Sequence, residues 1–224
     1  MERKNMGQLF DLDNPLMRGL GKIADLIWLN LLTVLCCIPI ITAGASITSL
    51  YYVTMKMVKD EEGYITRSFF KAFKENFKKS TLIWIIFLIG FCVIAGDIWI
   101  MQNKDQKFDR YLKYPVGFLA IILIFILLYV FPLQARFENT IKNTIKNSLI
   151  LSISHLHFTV GLIIIQIIPW VAFYFLQNAA VLIVILLGFS GVAYLSSYAY
   201  VTIFSKLEVE EKGTVVEEKW DLMD

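Results

Sequence analysis

The chain has 224 residues, of which 57% are hydrophobic and 18% charged, with a mean hydropathy of +0.63. This is too apolar for a soluble domain of that length and identifies an all-α, polytopic membrane protein. The net charge of +2 leaves no footprint for nucleic acid. Cys36, Cys37 and Cys92, odd in number and set in apolar runs, imply no disulfide framework.

No apolar core follows the first charges closely, so the start of the chain is not expected to be a cleavable signal. Met6–Leu20 mixes Leu9, Phe10, Leu16 and Met17 with Asp11, Asp13 and Arg18, and is expected to lie on the membrane surface. The first span is expected over 23–42, with Lys22 and Asp25 at its mouth and Asn30 deeper, bonding a neighbouring helix. Pro39 and the small residues behind it mark a bend. Residues 44–59 then offer about 24 Å of helix, short for a span. Charge decides in favour of a crossing. If this stretch crosses, seventeen of the 21 Lys and Arg share one side and four (Lys104, Lys107, Arg110, Lys113) the other; otherwise the division is thirteen to eight. Further spans are expected over 81–102, 114–134, 158–176 and 179–204, with Pro132 and Pro169 bending the fourth and fifth. The expectation is six spans in one membrane domain (1–206), a short frayed cytoplasmic tail (207–224) and both termini cytoplasmic.

Between the spans lie two amphipathic elbows, 64–79 and 136–148. In the first, Ile65, Phe69, Ala72, Phe73 and Phe77 share one face, while Arg67, Lys71, Lys74, Glu75 and Lys78 share the other. That pattern suits a helix lying among lipid headgroups, so membrane lipids are expected partners. Asn76 interrupts the apolar face, and an unpaired amide there would cost roughly 1–3 kcal/mol, so a polar group of the protein is expected to meet it. The two elbows align at an offset of 68 residues, from Phe69 to Ser80 and from Phe137 to Ser148. Such a match is open to two readings, a duplication or shared helical periodicity.

Chemistry finds little support. His155 and His157 are two apart, so on a helix they face different ways and lack further metal ligands. No phosphate loop, G-x-S-x-G or HExxH motif occurs. No catalytic, cofactor or metal site is expected, and the protein is not expected to be an enzyme. The intramembrane polar residues are Asn30, Asp97 and Gln166. A carboxylate such as Asp97 is a functional candidate, although Lys104 and Lys107 lie close in sequence and could draw it to an interface.

Several stretches give the chain a family likeness: Met6-Gly7-x-Leu9-Phe10 with Pro15-Leu16-Met17-Arg18, Gly44-Ala45-Ser46-x-Thr48 leading to Glu61-Glu62-Gly63-Tyr64, Phe69-Phe70-Lys71-x-Phe73-Lys74-x-Asn76-Phe77-Lys78, and Ala135-Arg136-Phe137-Glu138-Asn139-Thr140. On these, the sequence resembles the YesL-like membrane proteins of Gram-positive bacteria, a family without an established role. The resemblance implies company with oligosaccharide uptake. The expected function is therefore an accessory subunit bound to the permease subunits of a carbohydrate ABC importer. The contact residues would be Glu61, Glu62, Phe69, Phe73, Asn76 and Phe77, with Gly44 and Ser46 as a second surface. The alternatives are a small transporter or channel in its own right, or a membrane scaffold for an envelope sensor. An independent carrier usually places polar groups at midplane breaks, and spans three to six offer little beyond Gln166.

Overall fold

The computed structural model describes residues 15–61, 63–103, 106–176 and 178–221. These residues form helices α1 (Pro15–Cys37), α2 (Ala43–Val58), α3 (Ile65–Asn103), α4 (Gln106–Arg136), α5 (Ile141–Ser154), α6 (Leu156–Leu176) and α7 (Asn178–Asp221), with a short 3-10 turn at Ile40–Thr42. The all-helical expectation stands. Met17–Cys37, Ile65–Trp99, Tyr114–Arg136 and Leu186–Leu207 are each long and apolar enough to cross a bilayer, and α5 with α6, bent by 99°, makes a fifth if the pair counts as one span. The expected count of six is not confirmed: α2, which returns between two of these helices, has only sixteen residues, twelve of them buried.

The α1–α2 hairpin has a local cause. Pro39 has no N–H to extend the ladder of α1, which ends at Cys37, and the Thr42 hydroxyl takes up the Cys36 carbonyl at 2.7 Å. At the far end, α2 stops in a Schellman motif: Glu61 N–H bonds the Lys56 carbonyl at 3.0 Å and Asp60 N–H the Met57 carbonyl at 3.3 Å. Asp60 supplies the left-handed residue (φ 53°), a role that Asp tolerates better than most side chains. Its carboxylate accepts from Lys22 Nζ at 2.6 Å, so the two ends of the hairpin meet. That bond, and the Lys22 charge, hold the Asp60 carboxyl below its ordinary range. The contact is therefore complete at neutral pH and is lost as the pH falls through that lowered value.

The first elbow is not a separate helix. Residues 65–89 contain neither Pro nor Gly, so nothing breaks α3 where the elbow was expected to end, and it runs on through the apolar stretch. Trp28 Nε1 donates to Thr66 Oγ1 at 2.8 Å, and Trp84 Nε1 to the Ile40 carbonyl at 2.7 Å. Hence α1 and α3 run the same way, and α2 returns between them. The side chains of the basic row Arg67–Lys71–Lys74–Lys78 are exposed. The second elbow is a separate helix, α5, shifted to begin after Thr140, whose hydroxyl accepts from Asn143 N–H at 3.4 Å. The tail expected to fray is helical as far as Asp221.

The tightest packing lies where α2 meets α3. A Cβ on Gly44 would stand 2.5 Å from the Ser80 carbonyl oxygen and 2.6 Å from Trp84 Cβ. Beside it, the Thr48 hydroxyl donates to Ser80 Oγ at 2.9 Å, and on the other flank Ser46 Oγ donates to the Thr33 carbonyl at 3.0 Å. Small residues permit this approach, and lipid cannot imitate it. Gly44→Val is expected to cost at least about 1–3 kcal/mol, read as a lower unfolding midpoint in detergent. Gly96→Ala, with nothing within 4 Å of the added carbon, should not lower the midpoint. Equal midpoints for Gly44→Val and the parent chain would contradict the packing.

Candidate functional site

Two polar devices tie the second half of the chain to the first. Pro132 lies inside α4 and has no N–H, so the Leu128 carbonyl loses its helical partner. The Tyr200 hydroxyl replaces it, donating to that carbonyl at 2.6 Å. Tyr51 and Tyr129 meet the Tyr200 ring edge-on, at centroid distances of 5.5 and 5.7 Å. The Tyr129 hydroxyl also bonds Thr159 Oγ1 at 3.0 Å, and Thr159 donates to the Ser152 carbonyl at 2.7 Å across the break between α5 and α6. The Tyr51 hydroxyl faces the Gln166 amide. Elsewhere, Asn30 Oδ1 accepts from the backbone N–H groups of Phe189 and Ser190, at 3.0 and 2.9 Å, and so grips α7 partway along its length.

Asn76 meets a polar group of the protein, as its position on the apolar face required. Gln134 Nε2 donates to Asn76 Oδ1 at 3.1 Å, Asn76 Nδ2 donates to the Ala72 carbonyl at 3.1 Å, and the Thr144 hydroxyl donates to Gln134 Oε1 at 3.3 Å. Asn76 and Thr144 are equivalent under the 68-residue offset, and they converge on one glutamine.

The remaining expected contact residues divide between surface and interior. Phe69, Gly44 and Ser46 are enclosed within the chain, and Phe73 is half-buried against the core. Glu61 is exposed and Phe77 is 37% exposed; Glu62 lies outside the described residues. Asp97 is half-buried on α3, while Lys104 and the side chain of Lys107 lie outside the described residues. His155 and His157 fall at the break between α5 and α6 instead of on one helix, with ring centroids 6.5 Å apart.

A groove of about 700 Å³ opens between α1 and the start of α3, lined by Asp25, Trp28, Tyr64, Arg67, Phe70, Lys71 and Lys74 among others. Periodicity showed these charges sharing a face, but it could not show that α1 would lie beside them. The Trp28–Thr66 bond, made across 38 positions of sequence, is what closes one wall.

Residues 26–98 match the model of a family described as a protein of unknown function, DUF624. This stretch resembles DUF624. It takes in the second half of α1, all of α2 and α3 as far as Ile98, and with them the Gly44 contact and the groove except for Asp25, but not Gln134, Thr144 or Tyr200. No curated protein and no solved structure matches the chain.

Tyr200→Phe removes the donor to the Leu128 carbonyl and should cost on the order of 1–2 kcal/mol. In a Pro132→Ala background, residue 132 regains its N–H and can satisfy that carbonyl, so the same substitution should cost much less. Equal costs in the two backgrounds, read from unfolding midpoints, would show that the tyrosine does not stand in for the missing N–H.

Proposed function

We propose that this chain is a multi-pass protein of a Gram-positive cell membrane, YesL-like, with both termini cytoplasmic. It works by binding, as an accessory subunit docked against the permease subunits of a carbohydrate ABC importer. The observation that supports a binding role is how the bundle uses its interior. Its centre is filled by Leu29, Phe87, Tyr129 and Tyr200, each at most 2% exposed. Most of its buried polar side chains bond one another or nearby backbone groups, as in the Thr54–Ser197 contact at 2.8 Å and the Thr48–Ser80 contact at 2.9 Å, while the Ser190 and Ser196 hydroxyls have no partner among the described residues. A carrier in its own right keeps polar groups around a midplane site. The importer half of the proposal rests on the family resemblance. Of the expected contact residues, Glu61 and Phe77 remain open, Phe77 being 37% exposed. They offer a partner one charge and one aromatic anchor.

Tagged protein purified from its native membrane, after growth on a complex glycan, should carry permease subunits of a carbohydrate importer. Phe77→Glu should lower that yield without lowering its own membrane content, and deletion of the gene should slow glycan uptake. Absence of permease subunits, or unchanged uptake, would refute the importer role. Orientation is tested separately, with single cysteines at positions 5, 75 and 106 in a chain lacking the native three. The Lys22–Asp60 contact, which brings the start of α1 close to the start of α3, supports this orientation. An impermeant thiol reagent on intact cells should label position 106 and spare 5 and 75. Labelling at 5 with protection at 75 would contradict this orientation.

A further inference from the structure

The α1–α3 groove has chemistry that the docking proposal does not use. Its α3 wall carries Arg67, Lys71 and Lys74, spaced at i, i+4 and i+7 and all exposed. Lys71 leans towards Glu75 at 4.0 Å, whereas among the described residues neither Arg67 nor Lys74 makes an ion pair. Asp25 is the carboxylate of the lining, so the groove keeps a cationic excess. Two large rings, Trp28 and Phe70, stand in the same groove, 49% and 38% exposed. Trp28 also begins an apolar row on α1, continued at Leu31 and Leu35, which are 43% and 61% exposed. Since α1 and α3 run the same way, this row leads from the cations towards the apolar half of α3.

We infer that the groove binds an anionic glycerophospholipid. The phosphate engages Arg67, Lys71 and Lys74, and the acyl chains follow Trp28, Leu31 and Leu35. A soluble phosphate would satisfy the cations but has no use for an exposed tryptophan continuing into a leucine row. A zwitterionic lipid would satisfy the row but would bring a second cation to the basic wall. An anionic headgroup on a diacyl tail matches both ends, the tryptophan sitting at the boundary that its amphipathic ring favours. The inference does not depend on the importer.

Native mass spectrometry of the full chain in mild detergent tests it, with dioleoylphosphatidylglycerol and dioleoylphosphatidylcholine as probes. The anionic lipid should be retained at much lower concentration. R67Q/K71Q/K74Q should weaken its binding on the order of a hundredfold, from the loss of three side-chain cations that face the headgroup. K142Q/K146Q, on α5, should leave it unchanged. Equal retention of the two lipids, or wild-type binding by the triple variant, would overturn the proposal. Displacement of the anionic lipid by millimolar inorganic phosphate would mark a soluble-anion site and overturn the lipid assignment. If the triple variant fails to fold, the unsubstituted chain decides. Brominated phosphatidylglycerol should quench tryptophan fluorescence more than brominated phosphatidylcholine, and the excess should vanish in Trp28→Phe. No excess quenching would sink the idea.

Discussion

Everything in the first half of the chain depends on how closely α2 approaches α3 at Gly44. The missing side chain brings two backbones into contact, and Thr48 and Ser80 add a hydrogen bond beside it. With α2 held there, its remaining faces close against α1, α4 and α7, which is why a helix of modest hydrophobicity is so deeply enclosed. The same contact commits the Phe69 face of α3 inward. The basic face has nowhere to go but outward, beside α1, and the groove is the result.

The second half is held by a different logic, in which a defect in one helix is repaired by a side chain of another. Pro132 leaves a carbonyl open, and Tyr200 fills it. Ser152 lies in the last turn of α5, and Thr159 reaches back across the break to its carbonyl. In an apolar setting such repairs matter, because water is not at hand to take the place of a lost partner. They also specify which helices meet, something that leucine against leucine does poorly in lipid.

The helical class and the apolar runs were legible because hydropathy and the 3.6-residue period are local properties. So was the need of Asn76 for a partner, though not the partner's identity, since Gln134 lies 58 residues away. The first elbow was misjudged for a physical reason. A change from basic to apolar composition alters what surrounds a helix, whereas only a residue such as Pro or Gly is apt to interrupt it, and α3 has none near Ser80. Gly44 and Ser46 were rightly singled out as a close-packing surface, but sequence alone could not tell an external partner from α3 and α1. The groove was hidden for the same reason, since one of its walls comes from a helix distant in sequence.

The unbroken course of α3 has a mechanical side. At 1.5 Å per residue its 39 residues make a rod of about 58 Å, nearly twice a bilayer core of about 30 Å. Such a rod must either stand proud of the membrane or lean steeply within it. For a leaning rod, membrane thickness sets the angle, and a small change of angle becomes a large sideways travel at the end. That end is Thr66, bonded to Trp28, so the rod would carry a change in thickness from the apolar half of α3 to the wall of the groove.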